Sequence, residues 1–266
     1  MSRLAISNLA LPTIPVERIA PQLVSAGIDG VEVAPTVVWP EAPLVPTAEV
    51  RAYTKRWREY GIALSGIQSL LFGHPEMQVF DKQTWQVMHE HLVAMIRLAH
   101  DLDADIAVFG SPRNRVRGDL GDETANAIFA EFLYSLLPVL EDCGIVLTLE
   151  PNAPAYGADY LIHYAETVTL SDLVASPWVQ PQVDTGCLFM VNDAPEHALR
   201  ERRPAHLHIS TPNLMPPPGS LDHVALRNAL ETTGYDGWIV LEMLQATTKP
   251  LQTAIESARW LVDTYG

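Results

Sequence analysis

Cysteine is nearly absent from this chain, which has only Cys143 and Cys187 among its 266 residues. Two cysteines cannot form a disulfide framework in a chain of this size, and such scarcity is usual in a reducing compartment. The start, MSRLAISNLALP, has no cationic region followed by a cleavage site, so it favours a first strand over a signal peptide. These features predict a cytoplasmic protein.

Positive charge and long apolar runs are also scarce. Lys and Arg number 17 against 32 Asp and Glu, which gives a formal net charge of -15. Such a chain repels a phosphate backbone, so nucleic acid is not expected as a partner. No run reaches the roughly 18 apolar residues of a membrane span, so no membrane partner is expected either. A small solute is the ligand class that remains, and formation of a homo-oligomer is left open.

The chain also lacks the glycine-rich loops that bind phosphates, since neither GxGxxG nor GxxxxGK[ST] occurs in it. This absence argues against a doubly wound nucleotide-binding sheet, which usually carries such a loop after its first strand. Two proline-rich pieces, PTVVWPEAPLVP from Pro35 and TPNLMPPPG from Thr211, are predicted to be loops.

What the chain does contain is an alternation of two patterns. Short runs rich in Val, Ile and Leu predict eight strands: LAISNLA from Leu4, GIDGVEVAP from Gly27, IALSGIQSLL from Ile62, IAVFG from Ile106, IVLTLE from Ile145, VQPQVD from Val179, HLHIS from His206 and WIVLEM from Trp238. Eight predicted helices lie at 16–26, 47–60, 84–102, 123–142, 158–175, 193–203, 221–232 and 249–265. Eight such units predict one α/β domain, residues 1–266, folded as a (β/α)8 TIM barrel.

Four polar residues stand where apolar runs stop: Glu150 in IVLTLEPN, Asp184 in PQVDTG, His208 in AHLHIS and Glu242 in WIVLEM. In a barrel of parallel strands these ends meet at one mouth, where active sites lie. Inward carboxylates there would repel one another by several kcal/mol at an effective dielectric of about 20 unless a cation lay between them. Taken singly, each residue is equally compatible with helix capping or arginine pairing.

The four residues together predict one divalent metal ion. Carboxylates with an imidazole suit Mn²⁺ or Co²⁺, and Mg²⁺ or Zn²⁺ is also compatible, because no thiolate is required. The identity of the ligands does not choose among these metals.

Further polar residues are predicted to face into the barrel. His206 shares a face with His208 one pleat deeper, where a core histidine or a supporting partner is favoured over a ligand. Glu32 lies one pleat below the mouth and either binds substrate or supports a neighbour. Asn8 and Gln68 fall on inward faces, where an amide either binds sugar hydroxyls or bonds across the barrel.

Three arginines follow the fourth strand in SPRNRVRGD. Arg113 and Arg115 either grip a phosphate or carboxylate of the substrate or pair with acids at the surface. Surface pairing is favoured for Arg117.

Loop residues after the fifth and sixth strands complete the candidate substrate site. Asn152 and Tyr156 follow the fifth strand with access to the pocket. Cys187 comes three residues after Asp184 and is placed to touch the pocket. No neighbouring histidine in the sequence marks Cys187 as a nucleophile.

The strings LEPN, VDTG, HLHIS and VLEM, with SNLA, GVEVAP and GIQSLLFG, resemble the xylose isomerase-like TIM barrel superfamily. The likeness covers essentially the whole chain and is greatest to its sugar epimerases and isomerases, the group of D-tagatose 3-epimerase and hydroxypyruvate isomerase. It implies that Glu150 and Glu242 are both ligands and acid/base catalysts, and that Asp184 and His208 are ligands only. Ketose epimerases of this group have a histidine where this chain has Cys187, and an arginine where it has the neutral loop TPNLMPPPG.

The resemblance implies a metal-dependent isomerase or epimerase of carbohydrate metabolism, acting on a sugar or sugar phosphate. The reaction would remove the proton next to a carbonyl through a metal-bound enediolate. An inosose-type dehydratase begins with the same proton abstraction and stays an alternative. A phosphodiesterase of the endonuclease IV type uses more histidines and is disfavoured by the acidic charge. Glu150 and Glu242 argue against a barrel that binds a sugar without turning it over.

Overall fold

The computed structural model describes residues 2–266, and its centre is a closed barrel of eight parallel strands in chain order. The strands are β1 Arg3–Ser7, β2 Gly30–Val33, β3 Ala63–Ile67, β4 Ile106–Phe109, β5 Val146–Leu149, β6 Val179–Asp184, β7 His206–Ile209 and β8 Trp238–Leu241. The barrel closes where β1 pairs with β8, with Ala5 opposite Val240. The predicted (β/α)8 fold is confirmed.

Helices surround the barrel. They are α1 Val16–Ser25, α2 Pro35–Val38, α3 Thr47–Arg58, α4 Trp85–Asp101, α5 Asp122–Cys143, α6 Tyr164–Val174, α7 Thr185–Met190, α8 Pro195–Glu201, α9 His223–Thr233 and α10 Pro250–Tyr265. The short helices α2 and α7 belong to the loops after β2 and β6, and the others form the outer ring. Within residues 2–266, no helix combines the length and apolarity needed to cross a membrane.

The main hydrophobic core lies between the barrel and the helix ring. Outward side chains such as Leu147 and Leu149 on β5, and Leu207 and Ile209 on β7, are buried in it. Because side chains alternate along a strand, their neighbours point into the barrel. The faces predicted for β5 and β7 are those of the structure, since Thr148 and His206 both bond other interior side chains.

One helix begins later than predicted. The stretch 158–175 was predicted as helix, but α6 begins only at Tyr164. The Glu166 carboxylate accepts hydrogen bonds from the backbone of Ile162 and His163, which fixes the first turn there. In the segment that precedes α6, Asp159 accepts two backbone hydrogen bonds from the loop after β4. This segment therefore joins the loop after β5 to the loop after β4 instead of forming a helix.

Two short helices lie where no helix was predicted. α2 lies inside PTVVWPEAPLVP, and its first residue is a proline, whose missing N–H is not needed at that position. α7 follows Asp184 directly, because that side chain accepts from Cys187 N at 2.7 Å and caps the helix. The helix predicted at 193–203 is shorter, since it starts at Pro195 and stops before Pro204.

Candidate metal centre

Four side chains meet at the carboxyl-terminal mouth of the barrel: Glu150, Asp184, His208 and Glu242. Each offers one ligand atom, and these atoms all lie within 4.8 Å of one another. His208 Nδ1 lies 3.0 Å from Glu150 Oε1 and 3.4 Å from Glu242 Oε2, and it is 3.9 Å from Asp184 Oδ2. The structure thus brings together the four residues that the sequence places at successive strand ends.

The imidazole of His208 is oriented for metal binding. Its Nε2 donates to Glu32 Oε1 at 2.8 Å, and because an ionised carboxylate only accepts, the ring proton must be on Nε2. The other nitrogen, Nδ1, is buried and makes no hydrogen bond within the described residues, despite the nearby carboxylates. A buried nitrogen lone pair that faces three carboxylates is the arrangement of a metal ligand.

Glu32 holds both interior histidines. Its Oε2 accepts from His206 Nε2 at 2.6 Å while its Oε1 accepts from His208. Burial pushes the Glu32 pKa upward, but the two imidazoles outweigh it and hold that pKa well below its usual range. A cation could bind among these three residues only by displacing the two N–H···O hydrogen bonds. For both Glu32 and His206, these contacts favour the alternative in which the side chain supports a neighbouring residue.

The electrostatics of the mouth favour positive charge. Burial raises the pKa of Asp184 to about 7, and Glu150 and Glu242 add to this shift. Burial alone would lower the pKa of His208, but the carboxylates of Glu32 and Glu242 raise it well above its usual value. A cation bound among these groups would compete with the protons that both shifts favour.

The donor set fits a divalent cation. Three carboxylates and one imidazole suit ions of hard to intermediate character. Cys187 is not among the ligands, and its Sγ lies 3.8 Å from Asn152 Nδ2. Burial, followed by the charges of Asp184 and Glu150, raises the pKa of the Cys187 thiol well above its usual value. A protonated thiol is neither a ligand nor a nucleophile at neutral pH.

Glu150 is held by two amides. Gln182 Nε2 donates to its Oε1 at 2.9 Å, and Asn152 Nδ2 donates to its Oε2 at 3.1 Å. Thr148 Oγ1 in turn donates to Gln182 Oε1 at 2.5 Å. Gln182 was not predicted as a site residue, although it lies on the inward face of β6 two residues before Asp184. The spacing of two residues from Asp184 is the feature of the sequence that could have identified Gln182.

Glu242 is held by one amide. Gln68 Nε2 donates to Glu242 Oε1 at 2.6 Å, and Gln68 Oε1 accepts from Ser7 Oγ at 2.8 Å. Both groups of the Gln68 amide therefore form hydrogen bonds across the barrel, and neither faces open space. Glu242 Oε2 has no hydrogen-bond partner among residues 2–266.

Arg115 lies behind the site instead of in an open loop. It is 0% exposed, and its guanidinium donates to the Glu150 carbonyl oxygen at 2.7 Å and to Asn152 Oδ1 at 2.8 Å. Burial lowers its pKa to about 10, so the guanidinium is still charged at neutral pH. The guanidinium of Arg115 therefore holds the loop after β5, and within residues 2–266 it pairs with no acid at the surface.

The other two arginines of this loop point outward. Arg113 is exposed, and its side chain forms no ion pair or hydrogen bond with any residue in the range 2–266. Arg117 pairs with Asp122, the surface pairing that the sequence favours. Arg113 is thus the one of the three that can meet an anion in solution.

Two remaining candidates serve as links between loops. Asn8 Oδ1 accepts from Ala34 N at 2.8 Å and Asn8 Nδ2 donates to Ala34 O at 3.2 Å, so its amide is bound to the loop after β2 through both of its groups. The Tyr156 hydroxyl accepts from Asn213 N at 2.7 Å and joins the loops after β5 and β7.

Close backbone approach shapes the mouth at two glycines. A Cβ on Gly110, which follows β4, would overlap Glu150 Oε2. A Cβ on Gly186 would lie 2.6 Å from Ser210 Oγ, the group that bonds the Asp184 carboxylate. Both positions therefore leave space for ligand carboxylates or their partners.

A closed parallel barrel with carboxylates and a histidine gathered at its carboxyl-terminal mouth defines a TIM barrel with a candidate metal centre. Residues 21–264 match the model of the xylose isomerase-like TIM barrel family, and the chain belongs to that family. The predicted family resemblance is confirmed. Curated protein sequences gave no match to the chain.

Solved structures share the fold at low sequence identity. The 3-keto-D-glucoside 4-epimerase from E. coli is 17% identical with a TM-score of 0.78, over 99% of this chain and 100% of that one. D-psicose 3-epimerase from Clostridium cellulolyticum H10 is 16% identical with a TM-score of 0.80, over 99% and 98%. An AP endonuclease of family 2 from Brucella melitensis is 18% identical with a TM-score of 0.78, over 99% of each chain.

Proposed function

We propose that this protein is a divalent-metal-dependent sugar isomerase or epimerase in which Glu150 and Glu242 are the two acid/base groups. The observation that carries the proposal is that these glutamates, from the ends of β5 and β8, both face His208 Nδ1, at 3.0 and 3.4 Å. Two carboxylates that flank a common centre can remove a proton on one side of a substrate and return it on the other.

Four residues would hold the cation: Glu150, Asp184, His208 and Glu242. When bound, Mn²⁺, Co²⁺, Mg²⁺ or Zn²⁺ supplies a Lewis acid that makes the proton next to a carbonyl more acidic. Glu32 keeps the His208 proton on Nε2, so that Nδ1 stays available as a ligand. The backbone amide of Cys187 and the Ser210 hydroxyl fix the carboxylate of Asp184.

A small-molecule sugar is the proposed substrate class. The family assignment and the epimerases among the structural neighbours support it. The acidic charge and the single histidine in the four-residue cluster disfavour the phosphodiester cleavage suggested by the endonuclease neighbour.

The test begins with metal-stripped protein reloaded with each of the four cations. It is incubated in deuterated water with free ketoses, 3-keto-glucosides and ketose phosphates, and the products are analysed by NMR. We expect a metal-dependent change of configuration or carbonyl position, with deuterium at the carbon next to the carbonyl. Conversion without deuterium in the product would indicate a hydride shift, and loss of water from the substrate would indicate a dehydratase. Cleavage of abasic DNA in a parallel assay would indicate a nuclease.

Charge on the substrate can be tested at Arg113, which is exposed and unpaired in the described chain. If the substrate carries phosphate or carboxylate, Arg113→Ala should weaken its binding by about 1.5 kcal/mol, the low end for a charged hydrogen bond at a solvated position. The matched control is Arg117→Ala, because Arg117 already pairs with Asp122. Equal binding by wild type and the Arg113 variant would show that Arg113 is a surface residue without contact to the substrate. Arg115→Ala is a poorer probe, since it also removes support from Asn152.

A further inference from the structure

Two glutamines hold the two candidate acid/base glutamates in matching ways. Gln68 Nε2 donates to Glu242 Oε1 at 2.6 Å, and Gln182 Nε2 donates to Glu150 Oε1 at 2.9 Å. Both glutamines are buried, and neither side chain bonds anything else except one hydroxyl within residues 2–266. The amides are therefore dedicated to these contacts.

A hydroxyl group fixes the orientation of each amide. Ser7 Oγ lies 2.8 Å from Gln68 Oε1, and Thr148 Oγ1 lies 2.5 Å from Gln182 Oε1. An ionised carboxylate only accepts, so each Nε2 must face its glutamate and each hydroxyl must donate to the amide oxygen. The reverse orientation would place two buried acceptors against each other, which is costly.

The two hydroxyl–amide–carboxylate chains reach the mouth from different strands. One runs from the end of β1 through Gln68, which directly follows β3, and the other runs from β5 through Gln182 on β6. They end at Glu242 and Glu150, each of which has an oxygen within 3.4 Å of His208 Nδ1. A free glutamate side chain has several rotatable bonds, and such hydrogen bonds restrict their rotation before any ligand binds.

We propose that Gln68 and Gln182 are positioning residues that orient Glu242 and Glu150 toward the metal-binding nitrogen of His208, and that Ser7 and Thr148 set the amide orientation. The assignment rests on the metal-dependent function proposed above. The two glutamines act through the glutamates and do not contact the reacting atoms.

The first test replaces each amide by an apolar side chain that is one atom shorter and cannot form hydrogen bonds, in Gln68→Leu and Gln182→Leu. Titration calorimetry with MnCl2 should show a 10- to 100-fold loss of affinity, the usual effect of removing a group that orients a ligand. The visible absorption spectrum of the Co²⁺-loaded protein should also change, because the ligand geometry changes.

Gln180→Leu is the matched control. Gln180 lies on the same strand and face as Gln182, one pleat further from the mouth, and its amide donates to Ser176 O at 2.8 Å. Its replacement also removes an amide from β6, but should leave the Mn²⁺ affinity and the Co²⁺ spectrum as in wild type.

The hydroxyls provide a second test that preserves packing. Thr148→Val keeps the shape of the side chain and removes the donor, so Mn²⁺ affinity should fall by roughly two- to tenfold, the effect of one neutral hydrogen bond. Thr148→Ser retains the hydroxyl and should restore wild-type affinity. A purely structural role would shift the unfolding midpoint of the Val variant and leave its Co²⁺ spectrum unchanged.

The outcomes separate this assignment from the proposed function. If wild-type protein binds neither Mn²⁺ nor Co²⁺, both the function and the assignment are overturned. If wild type binds but the folded Leu variants match it in affinity and spectrum, only the assignment is overturned. Should a Leu variant fail to fold, the comparison of Thr148→Val with Thr148→Ser decides the question.

Discussion

The two ends of the barrel interior are filled in opposite ways. At the base, Ala5, Trp238 and Val240 form a small apolar cluster, and Gly30 leaves room for the indole, since a Cβ there would lie 2.7 Å from the ring. At the mouth, the barrel interior is filled instead by carboxylates, imidazoles and amides that form hydrogen bonds with one another.

The fold thereby separates the residues that stabilise it from those that could carry chemistry. Apolar burial at the base stabilises the barrel, whereas buried carboxylates at the mouth are costly without a counter-charge. Because all strands run in the same direction, the polar residues at their ends fall in one layer.

Removing either acid/base glutamate should have the largest effect. Glu150→Gln and Glu242→Gln keep the size of the side chain and remove the base, so turnover should fall by a factor on the order of 10² to 10⁴. Steady-state kinetics on the substrate found by the product screen measure this. Glu59→Gln, at an exposed position, is the control. Wild-type turnover in both site variants would remove these glutamates from the mechanism.

The second prediction sets a mouth variant against a base variant. Glu32→Gln removes the negative charge and one of the two oxygens that accept from buried histidines, and it should cost about 3–5 kcal/mol of unfolding free energy, with a 10- to 100-fold loss of metal affinity. Trp238→Ala should cost about 3–5 kcal/mol as well, through loss of packing, but leave metal affinity unchanged. Urea unfolding and metal titration measure the two quantities. Equal metal loss in both variants would contradict the division.

The third prediction concerns pH. Because burial raises the pKa of Asp184 to about 7, the folded metal-free protein binds a proton there more tightly than the unfolded chain, whose carboxyl titrates near 3.8. The free energy of unfolding of metal-free protein should therefore fall as pH rises from about 5 to 7. Metal affinity should rise over the same range, since the cation displaces that proton.

Thermal unfolding with and without MnCl2 across this pH range checks the prediction. Asp184→Asn is the matched variant, because it removes the titrating group and keeps the side-chain shape. Its metal-free stability should depend less steeply on pH than that of wild type. The same slope in both proteins would assign the pH dependence to other groups.

The smallest effect is expected at Gly110. Gly110→Ala adds a methyl group that displaces Glu150 Oε2 and breaks its hydrogen bond from Asn152 Nδ2, so unfolding free energy should fall by about 1.5 kcal/mol, the low end for a hydrogen bond to a charged group. The displaced carboxylate should nevertheless weaken Mn²⁺ binding measurably. Gly118→Ala is not a suitable control, because Gly118 has φ +57° and an added side chain would be strained there. Gly121→Ala meets open space and is suitable. An unchanged Mn²⁺ affinity in Gly110→Ala would show that Glu150 tolerates the shift.

Much of the barrel could be predicted from local patterns. Strand runs and the polar residues that end them repeat along the chain, and parallel strand ends must meet. The errors fall where a single side chain sets an element boundary, as Asp184 does for α7 and Glu166 for α6. Such capping depends on the exact path of the loop, which periodicity does not encode.

The support around the ligands was harder to predict. Gln182 lies on the same strand and face as Asp184, but a neutral amide one pleat below a carboxylate does not by itself predict a site residue. Arg113 and Arg115 are two residues apart, yet one is exposed and the other fully buried against a carbonyl 35 residues away. Contacts at that sequence separation depend on tertiary structure and cannot be read from a short motif.

The unequal hold on the two glutamates matters for engineering. Both oxygens of Glu150 accept amide hydrogen bonds, whereas only one oxygen of Glu242 accepts such a bond, from Gln68. A side chain anchored through one oxygen keeps some torsional freedom, and one anchored through both does not. The side of the pocket next to β8 can therefore adjust to a ligand more easily than the side next to β5, which is held rigidly. A redesign that admits a bulkier ligand should begin with the residues around Glu242.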